Sequence, residues 1–482
     1  MPAISTPPIS IFWFRQDLRL QDNPGLIKAL EQGTCLLIYI LDDTNAKDYN
    51  MGKASLAWLH HSLKSLNKDL NHKLNIYQGD PEKKLNQLVE KFKITSIFWN
   101  RCYEPWRVSR DQKIKESLTK LGIKVKSFNG SLLWEPWEIS KKDGTHYKVF
   151  TPFYRKGCLQ AAPPRNPLYI SKYNLTNHLI KDTDSLNINA LNLLSLKFDW
   201  ADTMISHWQV GEEAALERLE NFIDNQINDY KTGRDFPASE KVSKLSPHLH
   251  FGEISPHQVW HTALEKCEPS DDRDHFLSEI AWREFSYQLL FHYPTLPTQN
   301  LQRKFDRFPW ALNEKHLMAW QQGQTGYPII DAGMRELWQT GTMHNRVRMI
   351  VASFLVKNLL IHWHHGAAWF WDCLIDADLA SNSASWQWVA GCGADAAPYF
   401  RIFNPVIQGQ KFDPDGAYTK KYVPELKNLK PKYLFKPWEA PQNELKDTNI
   451  ILGKTYPKPI INLKTSRELA LNAFETIRTG VG

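Results

Sequence analysis

Residues Asp372–Pro405 read DCLIDADLASNSASWQWVAGCGADAAPYFRIFNP. This stretch places carboxylates, an amide and two indoles within a short span of chain. Its spacing predicts a helix from Leu374 to Trp388, on which Asp378, Asn382 and Trp386 recur every four residues and share one face. A polar face that ends in a large flat aromatic suits a flat polar ring system, although a buried helix with hydrogen-bonded aspartates gives the same pattern.

Length and composition set the broad class. The chain has 482 residues, a net charge of +7 and 19 tryptophans, which predicts two or three domains and gives a weak indication of nucleic-acid binding. Six scattered cysteines without a Cys-x-x-Cys pair argue for a reducing compartment and against a zinc site. No apolar run reaches membrane-spanning length and no signal pattern is present. We therefore expect a cytoplasmic protein that does not contact the membrane.

Strand and helix patterns change along the chain. In residues 1–133 short apolar strands alternate with helices, which predicts an α/β domain with a parallel sheet. Residues 134–199 carry turn signals and a Pro-rich run, and are predicted to form an interdomain linker. In residues 200–482 the apolar period is near 3.6, which predicts an all-helical domain. The predicted strands are Ile9–Phe14, Cys35–Leu41, Leu74–Tyr77, Ile94–Trp99 and Val125–Phe128.

Two patterns are set aside. Residues Gly391–Ala396 fit the spacing GxGxxA, but they follow a Trp-rich helix instead of a strand, so a dinucleotide fingerprint is not predicted. His362, His364 and His365 flank Trp363, and adjacent histidines around one indole do not set up good ligand geometry. No metal site is therefore predicted.

Five further motifs follow one another in a fixed order. They are FWFRQDLRLQDNPGL (Phe12–Leu26), KLSPHLHFGEISP (Lys244–Pro256), EIAWREF (Glu279–Phe285), TGYPIIDAGMREL (Thr325–Leu337) and MHNRVRM (Met343–Met349). With the opening stretch they resemble the photolyase/cryptochrome family, and most closely its class I cyclobutane pyrimidine dimer photolyases. The resemblance implies an antenna-type α/β domain and a helical FAD- and DNA-binding domain. It also implies light-driven repair of cyclobutane pyrimidine dimers in DNA by electron transfer from excited, reduced and anionic FAD.

The resemblance assigns the FAD contacts. Val242 and Lys244 depart from the usual Thr and Arg, so a hydroxyl is lost and a bidentate fork becomes a point charge. Helix capping by Ser243 or Ser246 is the alternative there. Asn382 matches the position facing flavin N5, where a neutral amide favours repair over signalling. The full set is Tyr230, Val242, Ser243, Lys244, Leu245, Ser246, Phe276, Asn345, Arg348, Asp376, Ala377, Asp378 and Asn382.

The resemblance also assigns the residues that carry electrons and hold the lesion. Trp310, Trp363 and Trp386 match a three-tryptophan relay, although each alone is explained by packing. A flipped-out dimer needs apolar walls and polar edges. The implied catalytic contacts are Glu279, Asn345, Met349, Trp282 and Trp388. The implied DNA contacts are Glu279, Trp282, Arg283, Asn345, Arg346 and Arg401, with a surface ion pair as the alternative for Glu279 and Arg283.

Other functions and the antenna stay open. A cryptochrome-type blue-light flavoprotein without repair is the alternative function, and an electron-transfer or nicotinamide flavoenzyme would leave the pocket indoles unexplained. Trp106 and Arg107 stand where folate-binding members carry Asn and Glu, which argues against folate and favours a deazaflavin or second flavin, or no antenna. The expected partner is damaged DNA containing pyrimidine dimers. We expect a monomer, associated with the nucleoid if the source is bacterial.

Overall fold

The computed structural model describes residues 8–170, 178–194 and 200–478. By packing, these residues form two compact units. The first holds the described residues within Met1–Tyr147, Thr151–Asn225 and Ser243–Pro294, and the second those within Lys148–Phe150, Gln226–Val242 and Thr295–Gly482. The predicted domains follow the change from strand to helical pattern, whereas the units follow packing. The helical residues 200–225 and 243–294 therefore belong to the first unit.

Five parallel strands form the sheet of the first unit, in the order β3-β2-β1-β4-β5. At its centre Phe12 aligns with Leu37 on one side and with Phe98 on the other. The strands are β1 (Ile9–Phe14), β2 (Thr34–Leu41), β3 (Asn75–Gln78), β4 (Ile94–Asn100) and β5 (Lys124–Phe128). Residues 11–14 are at most 1% exposed, so both faces of β1 are covered, as parallel sheets require. The predicted α/β fold and all five strands are confirmed, with ends within one residue.

Helices make up most of the remaining structure. Proline opens several of them after a capping side chain: Asp80 accepts from the backbone N–H of Lys83 at 2.9 Å, ahead of Pro81. The helices are α1 (Pro24–Leu30), α2 (Lys53–Asp69), α3 (Pro81–Phe92), α4 (Pro105–Lys120), α5 (Phe150–Pro152), α6 (Trp200–Ile205), α7 (Glu212–Asn225), α8 (Tyr230–Gly233), α9 (Ser246–Phe251), α10 (Pro256–Lys266), α11 (Asp271–His292), α12 (Glu314–Gln321), α13 (Pro328–Thr340), α14 (Asn345–Ser353), α15 (Trp363–Cys373), α16 (Leu379–Ala390), α17 (Pro405–Phe412), α18 (Ala417–Tyr422), α19 (Pro431–Leu434), α20 (Gln442–Asp447) and α21 (Leu463–Arg478).

The second unit is helical and is built around a buried anchor in the TGYPIID motif. The carboxylate of Asp331 accepts from the backbone N–H of Thr325 at 2.7 Å and from the hydroxyl of Tyr456 at 2.6 Å. Because Asp331 is fully buried, these bonds are needed to satisfy it, and they fix the start of α13. No helix in the described ranges is both long and apolar enough to cross a membrane.

Candidate functional site

The helix that carries the predicted polar face begins later than expected. The chain is extended at Leu374, and α16 starts at Leu379, so the prediction of one helix from Leu374 to Trp388 is wrong at its first turn. Asp378 is the N-cap, and its Oδ1 accepts from the backbone N–H of Ser381 at 2.7 Å. An aspartate that bonds the first-turn N–H groups starts a helix at that point, so Asp378 marks the beginning of α16.

Asp376 and Arg348 form the ionic centre of this region. Arg348 Nη2 lies 3.1 and 3.0 Å from the two carboxylate oxygens of Asp376, and Arg348 Nε donates to the Met343 carbonyl at 2.7 Å. The side chain of Asp376 is 3% exposed and that of Arg348 is 27% exposed. The buried carboxylate thus holds the guanidinium in place by charge-assisted hydrogen bonds, while part of the guanidinium stays accessible.

Asn382 lies one turn into α16, and its backbone N–H donates to the Asp378 carbonyl at 2.8 Å. Its side-chain Nδ2 donates to the Ala367 carbonyl on α15 at 3.1 Å. This bond orients the amide, so the side-chain oxygen of Asn382 is the atom that can accept from a ligand. Ala377, the residue between the two aspartates, is buried at 4% exposure.

These groups fit the polar edge of a flavin ring. A flavin edge presents carbonyl oxygens that need donors and ring N–H groups that need acceptors. Arg348 supplies the donors, while the carboxylate of Asp378 and the amide oxygen of Asn382 supply acceptors. Ala377, which lies between the two aspartates in sequence, is small and buried. Within the second unit the donor set therefore suits FAD, and Tyr230 on α8 is buried there as well.

The predicted phosphate segment is built differently from a simple helix cap. Ser243 Oγ accepts from the backbone N–H of Leu245 at 3.4 Å, and no side chain caps α9 among the described residues. Lys244 is exposed and has φ of +53°, a left-handed conformation that is unfavourable for a lysine. Such strain is often kept at ligand sites. Leu245 is buried, Ser246 is exposed, and Val242 before them is half-buried.

Trp386 is buried in α16 against α15. Its ring lies edge-on to Phe370, with 5.0 Å between the ring centres, and to Trp320 at 6.3 Å. A Cβ on Gly366 would meet the Cη2 of Trp386 at 2.0 Å, so only glycine allows this approach of the two helices. Trp388 is half-buried. Because the two indoles are two residues apart on a helix, their side chains project in different directions.

Trp363 and Trp310 lie near one another but do not touch. Trp363 is 1% exposed, and its Nε1 donates to Asn300 Oδ1 at 2.9 Å. Within the described residues no ring contact joins the two indoles directly. The ring of His362 contacts both, at 4.9 Å from Trp310 and 5.6 Å from Trp363 between ring centres. Burial lowers the pKa of His362 to about 4, so the ring is neutral near pH 7.

Sequence reasoning missed Asn300 and His362. His362 precedes Trp363 in the sequence, and this adjacency, which argues against a metal site, also places an aromatic ring beside the indole. Asn300 lies 63 residues from Trp363 and gave no local signal. Over the described parts of the chain, no three His, Cys, Asp or Glu residues are grouped so as to hold a metal ion.

Glu279 and Trp282 lie on α11 in the first unit. The side chain of Glu279 is 25% exposed, and its Oε1 lies 3.7 Å from His275 Nε2. Trp282 is half-buried, with its ring edge-on to Phe285 at 5.8 Å between centres. A carboxylate beside an indole on one helix face presents both a polar and an apolar contact. Phe276, from the same helix, is 1% exposed and belongs to the core of the unit.

Arg283 is turned toward the end of the α/β part of the chain. Its Nη1 donates to the Ser131 carbonyl at 2.7 Å, and its guanidinium lies 4.8 Å from the ring centre of Tyr287. The next residue, Glu284, accepts from the backbone N–H of Leu133 at 2.8 Å. Burial raises the pKa of Glu284 to about 7. Arg283 and Glu284 thus clamp the turn at 131–133, a packing role that spacing alone did not indicate.

Arg346 on α14 is held on three sides. Its Nη2 donates to Asp235 Oδ1 at 2.6 Å, and its guanidinium lies 4.5 Å from the ring centre of Phe412. Its Nη1 lies 3.8 Å from the sulfur of Met349. The stacking and the ion pair fix the plane of the guanidinium.

The start of α14 and the segment before α17 carry the other predicted contacts. Asn345 is exposed at the first position of α14. The N-cap His344 accepts from the backbone N–H of Arg346 through Nδ1 at 3.2 Å, and burial lowers its pKa to about 4. Arg401 is exposed, and its carbonyl accepts from the buried Lys357 Nζ at 3.1 Å.

Family models match two parts of the chain. Residues 10–168 match a model described as DNA photolyase, and residues 276–476 match the FAD binding domain of DNA photolyase. The chain is 46% identical to a deoxyribodipyrimidine photo-lyase of Agrobacterium fabrum over 99% of both chains. It is 36% identical to cryptochrome-1 of Arabidopsis thaliana over 95% of this chain and 69% of the cryptochrome.

Solved structures of photolyases are also similar to this chain. A bacterial class III photolyase from Agrobacterium tumefaciens has 46% identity and a TM-score of 0.93, with 99% of this chain and 100% of that chain covered. A photolyase from Sulfolobus tokodaii with two FAD molecules has 31% identity and a TM-score of 0.81, with 97% and 100% covered. The first finding corrects the expected closest likeness to class I, because the 46%-identical relative is of class III.

Proposed function

Because the chain belongs to the photolyase/cryptochrome family, we propose that it uses light to repair cyclobutane pyrimidine dimers in DNA. In this proposal the protein is a deoxyribodipyrimidine photo-lyase, which is a carbon–carbon lyase. The observation that carries the proposal is the 46% identity to such an enzyme over 99% of both chains. Asn382 adds support, since a neutral amide does not readily give a proton to the ligand it faces.

FAD, when bound, absorbs the light and supplies the electron that splits the dimer. The chain holds and orients it. Arg348, fixed by Asp376, donates to acceptors on the ring edge, and Asp378 accepts from a ring N–H. Asn382 would present its amide oxygen to the ring, since its nitrogen is already bonded to the Ala367 carbonyl. Ser243, Lys244 and Ser246 are proposed to contact the FAD phosphates, which the strained backbone of Lys244 supports.

The lesion is proposed to contact two indoles, a carboxylate, an amide and a thioether. Trp282 and Trp388 are half-buried, so each offers an indole face to the apolar side of a pyrimidine dimer. Glu279 and Asn345 offer polar atoms for its edges, and Met349 adds a polarisable contact. Flipping a dimer out of the helix loses stacking, and these new contacts offset that loss.

Phosphates next to the lesion are proposed to bind Arg346 and Arg401. The guanidinium of Arg346 is pre-oriented by Asp235 and Phe412, so little side-chain entropy is lost when it meets a phosphate. Arg283 is proposed as a DNA contact too, but its bond to Ser131 makes positioning of the neighbouring turn its main role.

The function is tested with two defined oligonucleotides. One carries a cyclobutane dimer and the other a six-four photoproduct, and each is illuminated with chemically reduced protein. We expect restoration of the cyclobutane substrate alone, and a matched Glu279→Ala variant with an unchanged flavin spectrum and a lower repair yield. Repair of the six-four substrate alone would reassign the lesion. Repair of neither by fully reduced protein would favour the cryptochrome-type alternative.

The proposal extends to the antenna pigment, the cellular location and the oligomeric state of the enzyme. Arg107 stacks on Trp106 with 4.9 Å from guanidinium to ring centre, and these residues replace those of folate-binding members. We propose a deazaflavin or a second flavin as antenna, in line with the two FAD molecules of the Sulfolobus relative. Extraction of the pigment and its spectrum tests this. The protein is proposed to act as a cytoplasmic monomer on DNA, associated with the nucleoid if bacterial.

A further inference from the structure

The middle indole of the proposed relay is hydrogen-bonded to an amide, and that amide is bonded to a carboxylate. Trp363 Nε1 donates to Asn300 Oδ1 at 2.9 Å. Asn300 Nδ2 donates in turn to Asp306 Oδ1 at 2.8 Å. Trp363 is 1% exposed and Asn300 is 6% exposed, whereas the side chain of Asp306 is 45% exposed. The chain Trp363–Asn300–Asp306 therefore runs from the core to the surface of the second unit.

Asp306 decides which end of the amide faces the indole. A carboxylate can only accept, so it binds the nitrogen end of Asn300. The oxygen end is thereby turned toward the N–H of Trp363. Because the carboxylate polarises the amide, it strengthens the acceptor that the indole meets.

The identity of this acceptor matters when the indole is oxidised. Loss of one electron makes an indole N–H strongly acidic. An amide oxygen accepts a hydrogen bond but is a very weak base, whereas a carboxylate in the same place would take the proton. A deprotonated, neutral indole radical no longer carries the positive charge that drives oxidation of the next residue.

Among the described residues, no base is hydrogen-bonded to the indole nitrogen of Trp363 or of Trp310. Trp363 Nε1 has Asn300 as its acceptor, and Trp310 Nε1 is buried without a hydrogen-bond partner. Two imidazoles lie against Trp363, that of His364 with 4.0 Å between ring centres and that of His362 at 5.6 Å, and neither is the hydrogen-bond partner of its Nε1. His362 already accepts the backbone N–H of His364 through Nδ1 at 3.2 Å. Its other ring nitrogen therefore carries the proton when the ring is neutral.

We propose that Asn300, oriented by Asp306, is a positioning residue that keeps the proton on oxidised Trp363 so that the positive charge passes on to Trp310. Trp363 gives one electron to oxidised Trp386 and then takes one from Trp310, and its N–H bond is never broken. The proposal rests on the proposed function and on the three-tryptophan relay that the family resemblance assigns to Trp310, Trp363 and Trp386. It adds a group outside the three indoles that decides whether the relay conducts.

The test uses full-length, FAD-loaded protein and flash photolysis with transient absorption. In a Trp310→Phe background the charge stops at Trp363. With the native pair we expect the spectrum of an indole radical cation. In Trp310→Phe combined with the swap Asn300→Asp/Asp306→Asn we expect a neutral radical whose lifetime is longer by roughly tenfold or more, since a proton transfer must be reversed first. The swap conserves net charge, size and the hydrogen-bonded chain.

Controls separate this role from packing and from the function itself. Asp306→Asn alone removes the charge without placing a base on the indole, so its radical should stay cationic. Repair by chemically reduced protein should be unchanged in every Asn300 and Asp306 variant, and its loss in wild type would count against the proposed function only. A cationic radical in the swap variant would overturn the proposal. So would a neutral radical with the native pair, which can be measured even if the swap variant does not fold.

Discussion

At the scale of single residues, the proposed FAD contacts Asp376 and Asp378 can be tested directly. Asp376→Ala with Asp378→Ala removes the carboxylate that lies 3.0 and 3.1 Å from Arg348 Nη2 and the cap of α16. Because a partly buried guanidinium then loses its partner, we expect the variant to purify with little FAD. The ratio of flavin to protein absorbance measures this. The exposed Asp415→Ala is the matched control, and full occupancy in a folded double variant would contradict the assignment.

Still at the scale of residues, the sequence predicted the position of a residue when its partners lie close in the chain or when its motif is complete. Asp378, Asn382 and Trp386 are within one helix and its cap, and their placement was foreseeable from spacing. Asn300 and His362 were not, since an acceptor 63 residues from its donor is recruited by the fold alone. Arg283 is a second case: its spacing from Glu279 fits a surface ion pair, and the sequence does not reveal the hydrogen bond to the Ser131 carbonyl.

Between elements, α15 and α16 meet at a glycine. A Cβ at Gly366 would lie 2.0 Å from Cη2 of Trp386, too close for any side chain. Gly366→Ala should therefore push the indole aside, destabilise the protein by about 1–3 kcal/mol and lower the yield of flavin photoreduction. Thermal unfolding and photoreduction under steady light measure the two effects. Ala368→Ser, exposed on the same helix, should change neither, and a Gly366→Ala variant with normal photoreduction would remove Trp386 from the relay.

Element types were predictable here because each local pattern is strong. The strands are nearly continuous apolar runs, which suits a parallel sheet buried on both faces. The start of α16 was predicted five residues early, at Leu374 instead of Leu379. The spacing of residues in the sequence does not change at an aspartate, so it does not show where the helix starts. The side chain of Asp378 bonds the first-turn N–H groups and sets the start of α16.

On the scale of the whole molecule, composition predicted more than one compact body but not how the chain is shared between them. The chain enters the second unit at residues 148–150 and 226–242 before it stays there from residue 295. Such returns depend on long-range packing, which periodicity does not report. The family motifs assign the proposed functional residues without reference to these unit borders, because the motifs are tied to chemistry.

Both units also bury neutral histidines, which makes the whole chain sensitive to acid. Burial, followed by Arg165, lowers the pKa of His257 in the first unit to about 3, and burial lowers that of His344 in the second to about 4. The unfolded chain binds these protons below about pH 6.5, whereas the folded chain does not, so stability falls as the pH drops from 6.5 toward 4. For His257, which is 1% exposed, the loss between pH 7 and 5 is about 2 kcal/mol. Thermal unfolding at pH 7 and pH 5 should show a smaller loss of stability for His257→Asn than for wild type. The exposed His72→Asn should lose as much stability as wild type. Equal drops in all three proteins would mean that His257 is already protonated in the fold.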